Sequence, residues 1–406
     1  MISKRTAAVG AALLIIMVSF ISSFATLQIV DYINVKNGDK VIITKKQYEQ
    51  LKDAQKLETV KSIIQKNYIK EVEDETLIDG AIRGLVASLN DPYSVYYTKE
   101  EFKEFQEHTR GTYAGVGLMV TVDPRDKMIT VIQAFEDGPS AEAGIKPGDK
   151  IVKVNDVELD GTMLDKAVAL MKGPKGTKVK VTVYRDGSFK EYELVRDIIT
   201  IDTVDERMLA GKIGYIRIAS FDENTADAFK DAIEKLEKEG MEGLIIDVRD
   251  NPGGLLNAVT EVADVLLPEG KIVYTEDRYG KQEMEMSDAK ALGLPLVILV
   301  NGSSASASEI LAGSVQDHGV GKIVGTQTFG KGVVQSIRVF KDASGLKLTT
   351  SSYFTPKGRS IHEVGITPDV VVDFPEEFKK NPEPLTDEND VQLRKAIEVV
   401  KELMEK

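Results

Sequence analysis

From about Lys45 to His108 apolar side chains return every third or fourth position, the spacing that lines one face of a helix. Leu51, Leu57, Val60, Ile63 and Ile64 form one stripe, and Leu77, Ala81, Ile82, Leu85, Val86 and Leu89 a second, closed by the turn Asn90-Asp91-Pro92. Such stripes need cover, from the rest of the chain or from a second copy in a homodimer through the helical termini. Between Gly111 and about Arg196 the period shortens to two. GVGLMVTV, MITVIQAF, DKIVKVNDVEL and KVKVTVYRDG read as strands separated by turns, and Thr162 to Lys172 as one helix with Leu164, Val168 and Met171 on a face. From Ile198 strands and helices alternate: IGYIRIASF, a helix from Thr225 to Glu239, GLIIDVRD, a helix around Leu255 to Leu266, PLVILVN, a helix to about Gln316, then KIVGT. That order predicts an α/β core, with function at its strand ends. The last stretch, Val391 to Lys406, puts Leu393, Ile397, Val400 and Leu403 on one face of a helix, to be packed on a core or partner.

Composition narrows the function. The chain has 406 residues, 42% of them apolar, enough for two or three domains with cores of their own. A net charge of −13 argues against a nucleic-acid partner. There is no cysteine, so thiolate catalysis and thiolate metal sites are excluded, and His108, His318 and His362 stand in no metal-ligand spacing. No metal or cofactor is expected. After Lys4 and Arg5, Ala7 to Val30 carries no charge, a run long enough to cross a bilayer. Ser23-Phe24-Ala25 resembles a signal-peptide cleavage site, but the apolar run continues through Leu27, Ile29 and Val30, which favours an uncleaved anchor over secretion. Lys36, Lys40, Lys45 and Lys46 after the span outnumber the basic residues before it; long domains translocate regardless of such charges, so the bulk is placed outside the cytoplasm.

Two strand ends carry candidate chemistry. In GLIIDVRDNPGG a strand runs into Gly253-Gly254 and a helix, a place for exposed N–H groups. In PLVILVNGSSASASEI a strand turns through small residues into a helix at Ser306. Ser306 with Glu309 has the spacing of a capping box, which would make the serine a helix cap; as a nucleophile it would need a base, and no histidine stands in evident relation to it. Lys331 lies in VGTQTFGKGVVQ, one residue short of a phosphate-binding loop: Gly332 stands where magnesium needs Ser or Thr, and the following VVQSIRVF reads as a strand instead of a helix. As a base, Lys331 would need its pKa brought from ~10.4 to about 7, on the order of 4 kcal/mol, which burial must supply. If strand pairing begins near Lys331, Gln335 shares its face and can hold the amine.

GVGL followed by GPSAEAGIKPGDKIVKVND resembles a PDZ domain. The resemblance implies that the amides of Val116, Gly117 and Leu118 grip the terminal carboxylate of a peptide that adds as a strand beside the helix. NPGG, SASASEI, VQD, TFGKG and Gln335, together with TPKGRSI, GITPD and GAIRGLVASLNDPYS, resemble in order and spacing the carboxyl-terminal processing peptidases, or tail-specific proteases, of family S41. That resemblance covers nearly everything after the anchor. It implies a crotonase/ClpP-like α/β protease core with an inserted PDZ domain and an N-terminal helical region. It implies a Ser306/Lys331 dyad, with Gln335 positioning the lysine and the oxyanion held by Ala307 and the Gly253-Gly254 turn. It also implies substrates that are polypeptides with free C-termini. The divisions expected are 1–30 anchor or signal, 31–108 linker and helices, 109–197 PDZ domain, 198–375 protease core and 376–406 terminal helix. The rival is a PDZ scaffold that binds peptides without cutting them.

Overall fold

GLIID and LVILV are continuous apolar runs because each is buried on both faces, as parallel strands are when helices cover both sides of their sheet. The computed structural model describes residues 15–23, 25–26, 44–376, 378 and 384–406. The span expected from Ala7 to Val30 lies largely outside them, and among the described residues no helix is long and apolar enough to cross a membrane. The chain divides into two compact units, Met1–Ile82 and Arg83–Lys406.

In the first unit the helix Lys45–Asn67 leaves Leu57, Val60 and Ile63 exposed and Ile64 half-buried. The helix Asp74–Ala87 runs from the first unit into the second, where Val86 is buried but Leu85 and Leu89 are exposed. The region expected to be helical as far as His108 is interrupted by a strand, Val95–Tyr97. These β-branched and aromatic residues pair with Gly345 to Lys347, a partner distant in sequence. The helix Lys99–Arg110 then starts at a capping box, in which Thr98 N–H donates to Glu101 Oε2 at 2.9 Å and Glu101 N–H to Thr98 Oγ1 at 3.4 Å.

The core of the second unit is a six-stranded sheet in the order Val204–Leu209, Ile213–Ile218, Gly243–Asp247, Leu296–Val300, Gly321–Gly325, Val370–Val371; all neighbours after the first pair are parallel. Alternate residues face opposite sides. Leu244, Ile246 and Ile298 pack with the helices Thr225–Lys238, Leu256–Leu266 and Ala307–His318, whereas Ile245, Val297 and Leu299 pack under Leu393, Ala396 and Val400 of the helix Val391–Met404. The terminal helix therefore spends its apolar face on this core, which removes it from the expected dimer contact.

A second, antiparallel sheet joins Val95–Tyr97, Gly345–Phe354, Gly270–Asp277 and Gln282–Ser287, with Val333–Val339 on the other edge of Gly345–Phe354. The β-rich stretch forms a third sheet, Leu118–Val122, Ile129–Ala134, Lys150–Val154, Lys178–Arg185 and Ser188–Val195, beside the helix Leu164–Met171. Thr162 and Met163, expected as part of that helix, belong to a 3-10 turn, Gly161–Met163, capped by Asp160. The chain enters and leaves this small domain through a paired ribbon, Thr112–Gly115 with Asp197–Thr200.

Candidate active site

The strands Gly243–Asp247, Leu296–Val300 and Gly321–Gly325 lie side by side and parallel, so their carboxyl ends open at one edge of the sheet. The turns that leave them meet around one cavity of about 320 Å³, whose wall holds Gly253, Gly254, Ser306, Ala307, Lys331 and Gln335 together. Residues far apart in sequence converge because the sheet brings its strand ends together.

Ser306 ends the second turn, immediately before the helix Ala307–His318. Its φ of 54° and ψ of −110° lie outside the regions comfortable for a residue with a Cβ. Three contacts hold it there. Its N–H donates to Glu309 Oε2 at 2.8 Å, its carbonyl accepts from the Tyr353 hydroxyl at 3.0 Å, and the backbone of Gly253 packs against its side chain. A Cβ at Gly253 would lie 2.8 Å from Ser306 Cβ and 2.8 Å from Ala305 O, at a φ of 104°. Gly253→Ala is therefore expected to displace Ser306 and lower kcat/KM by roughly 100-fold. Gly240→Ala, at φ 86° with nothing within 4 Å of the new Cβ, should leave turnover intact. Equal activities in steady-state assays of the two variants would contradict the packing argument.

The first turn is organised by buried Asn251. Its side chain donates to Ile218 O at 2.8 Å and accepts the Gly253 N–H at 2.8 Å, while its carbonyl accepts from Ala305 N–H and Ser308 Oγ, both at 3.0 Å. The Gly253 amide, expected as an oxyanion donor, is thus already engaged. Gly254 N–H and Ala307 N–H have no acceptor among the described residues, and both residues line the cavity. Two unengaged amides, one at a helix N-terminus, form a place where negative charge is favoured.

Lys331 is half-buried, and its Nζ stands 4.9 Å from the centroid of the Tyr93 ring. Burial lowers its pKa and the positive charge of Lys347 adds to the effect, against the carboxylates of Asp91 and Glu309, which act the other way. Gln335 lines the same cavity, but its amide donates at 3.3 Å to Thr349 Oγ1 and to Val333 O, and not to the lysine. Strand pairing begins at Val333, and the bulge between Val334 and Gln335 places its extra residue, Thr350, on the partner strand, so Val333, Gln335 and Ile337 alternate onto the cavity wall that also holds Lys331.

Glu309 does more than cap a helix. Fully buried, it accepts through Oε2 from the N–H groups of Ser306 (2.8 Å) and Lys331 (2.9 Å), and through Oε1 from Gly330 N–H (2.7 Å) and Thr328 Oγ1 (2.6 Å). One carboxylate therefore ties the serine turn to the lysine loop. The S-x-x-E spacing identified one of these four partners; the other three come from across the sheet edge. Of the histidines, His318 Nε2 is bonded to Lys271 O at 2.7 Å, outside these contacts, whereas His108 lines the cavity from the helix Lys99–Arg110.

In the small domain Val116 and Leu118 line an apolar cavity of about 250 Å³ with Phe135, Val168 and Met171. The carbonyls of Val116 and Gly117 accept from Ser140 N–H and Phe135 N–H, so across each trans peptide the N–H groups of Gly117 and Leu118 point the other way. Gly117 has a φ of 75°, which glycine adopts without cost. Burial pushes the Tyr113 hydroxyl up to about 12, while the neighbouring Leu118 amide works to lower it.

Comparison with known proteins agrees with this division of labour. Residues 212–372 match the model of peptidase family S41, residues 130–185 that of the PDZ domain, and residues 16–101 that of the N-terminal domain of the activating protease CtpB. The carboxy-terminal-processing protease of Bartonella bacilliformis is 40% identical over 328 residues, covering 78% of this chain and 74% of its own. The carboxy-terminal processing protease CtpA of Bacillus subtilis is 38% identical over 319 residues, covering 78% and 68%. Among solved structures, a candidate S41 protease from Bacteroides fragilis has a TM-score of 0.50 at 14% identity over 85% of this chain and 97% of its own, a likeness of fold. The photosystem II D1 C-terminal processing protease has a TM-score of 0.48 at 31% identity, covering 82% and 94%. With a matching family model over its α/β core and relatives at this identity over most of their length, the chain belongs to peptidase family S41, among the carboxy-terminal processing proteases.

Proposed function

We propose that the chain is an ATP-independent serine endopeptidase that binds the C-terminal tails of polypeptides through its PDZ domain and cuts them with a Ser306/Lys331 dyad. The observation that carries this reading is the half-buried Lys331, its pKa depressed, on the same cavity wall as a strained serine at a helix N-terminus. Neutral Lys331 accepts the proton of Ser306 Oγ as the oxygen attacks a peptide carbonyl, and the resulting lysinium protonates the leaving amine. The amides of Ala307 and Gly254 receive the oxyanion. Water then takes the serine's part, releasing the acyl group and restoring both side chains. Gln335 acts on Lys331 through the wall they share, by a rotation away from Thr349 when substrate enters. The uncharged run Ala7 to Val30 supports an extracytoplasmic catalytic part, and the exposed Leu57, Val60 and Ile63 suit a second copy of the chain.

For the tail, the amides of Gly117 and Leu118 with that of Val116 receive the terminal carboxylate, and the 250 Å³ apolar cavity takes a small apolar last residue. The experiment is to incubate the full chain with an unstructured polypeptide carrying either a free or an amidated C-terminus. The free acid should be cut, and amidation should raise the apparent KM about tenfold or more, as expected when a charge-assisted contact is lost. Equal cutting of both forms would remove the tail-reading role. No fragments from either, with the free tail still bound, would leave the chain a peptide-binding scaffold.

A further inference from the structure

The catalytic cavity contains a second lysine that the dyad does not use. Lys347 lies in the strand Gly345–Phe354, paired directly with Ile337 on one side and Val95 on the other, two residues from the Thr349 that pairs with Gln335. Paired residues and their second neighbours share a face of a sheet, so Lys347, Ile337 and Gln335 form one row, and all three line the cavity with Ser306 and Lys331. Its ammonium is held by ring faces: Nζ is 5.4 Å from the centroid of Phe105 and 5.6 Å from that of Tyr97, two rings stacked 5.1 Å apart. No carboxylate among the described residues forms an ion pair with it. Aromatic faces fix a cation in place without cancelling its charge, and in a partly dry cavity that charge reaches further than in water.

We propose that Lys347 is a positioning residue for the S41 reaction, whose fixed positive charge favours the neutral, proton-accepting form of Lys331. The proposal rests on the reading of Lys331 as the base. The Tyr93 ring stands against the Lys331 amine and the charges of Lys347, Asp91 and Glu309 act on it, while His108, Asp222 and Tyr353 are the other titratable groups on the cavity wall. The carboxylates of Asp91 and Glu309 favour the protonated amine, so Lys347 is the one charge of the three that opposes them. Burial alone would leave the base exposed to that pull; the second lysine offsets it.

The test is the pH dependence of kcat/KM of the full chain on an unstructured peptide, for wild type, Lys347→Met and Lys347→Arg. Wild-type activity should rise with pH as Lys331 loses its proton. Removing the neighbouring positive charge makes protonated Lys331 less costly, so in Lys347→Met the rising limb should move to higher pH by about half to one unit. On the acid side of the limb that shift is a loss of about three- to tenfold, recovered as the pH is raised. Lys347→Arg keeps the charge and should leave the limb in place. Should Lys347→Met fail to fold, as judged by thermal melting, Lys347→Gln carries the same comparison. A limb that stays put in the uncharged variant while the plateau falls means that Lys347 only shapes the cavity, and overturns the proposal. Retained wild-type activity in Lys331→Ala is the separate result that would sink the dyad itself.

Discussion

Replacing Ser306 or Lys331 with alanine is expected to lower kcat by about 10⁴-fold or more, and replacing both is expected to lower it no further. In the proposed mechanism the two side chains serve one proton transfer: without the hydroxyl there is nothing for the amine to activate, and without the amine the hydroxyl remains a weak nucleophile. The loss should appear in single-turnover cleavage of an unstructured polypeptide, with tail binding by the PDZ domain unchanged, because the apolar cavity beside Leu118 shares no wall residue with the catalytic one. His108 is the informative control, as the histidine on the catalytic wall. His108→Ala should keep turnover within a few fold. A dead His108→Ala beside an active Lys331→Ala would transfer the role of base to the histidine.

Glu309→Gln should be the most damaging conservative change. Four donors converge on this buried carboxylate, two on each oxygen. An amide offers one oxygen: turned one way its NH₂ group meets the N–H groups of both Ser306 and Lys331, and turned the other it meets the Gly330 N–H and the Thr328 hydroxyl, which can reverse and accept. In the second orientation one buried donor, the Gly330 N–H, is left unsatisfied, and the expected cost is about 1–3 kcal/mol. Gly330 adjoins Lys331, so the loop that carries the lysine loosens against the serine turn, and kcat/KM should fall by about 100-fold in the folded fraction. Denaturant unfolding and steady-state kinetics on the same preparation separate the two effects. A loss of stability below about 1 kcal/mol with unchanged kinetics would show that the four contacts are not what holds the site.

Motifs contained within one turn were legible in the sequence; features built across strands were not. Ser306, Lys331 and the glycine turn stand out because each sits in a short segment with its own spacing, and the apolar runs GLIID and LVILV announce buried strands on their own. The strand Val95–Tyr97 was hidden within a helical reading because its reason for existing, Gly345 to Lys347, lies some 250 residues away. Gln335 shares the cavity with Lys331, but the acceptor its amide now uses, Thr349 Oγ1, lies across the sheet, and no local residue pattern announced it. Glu309 looked like a cap because one of its four partners is three residues away and the rest follow from the approach of the loop ending at Gly332. Tyr93 and Lys347 reach Lys331 only through the completed sheet, so nothing in their own segments marked them.

The ribbon Thr112–Gly115 with Asp197–Thr200 has a consequence for how such an enzyme can diversify. Entry and exit strands are hydrogen-bonded neighbours, Gly115 opposite Asp197, so the small domain's two ends stand one strand spacing apart whatever lies between them. A cassette with the same two flanking strands can replace the one present without lengthening or straining the surrounding chain, as domains inserted at closely spaced termini generally can. Recombination at this doorway would then exchange the small domain while leaving the strand ends that carry Ser306 and Lys331 untouched.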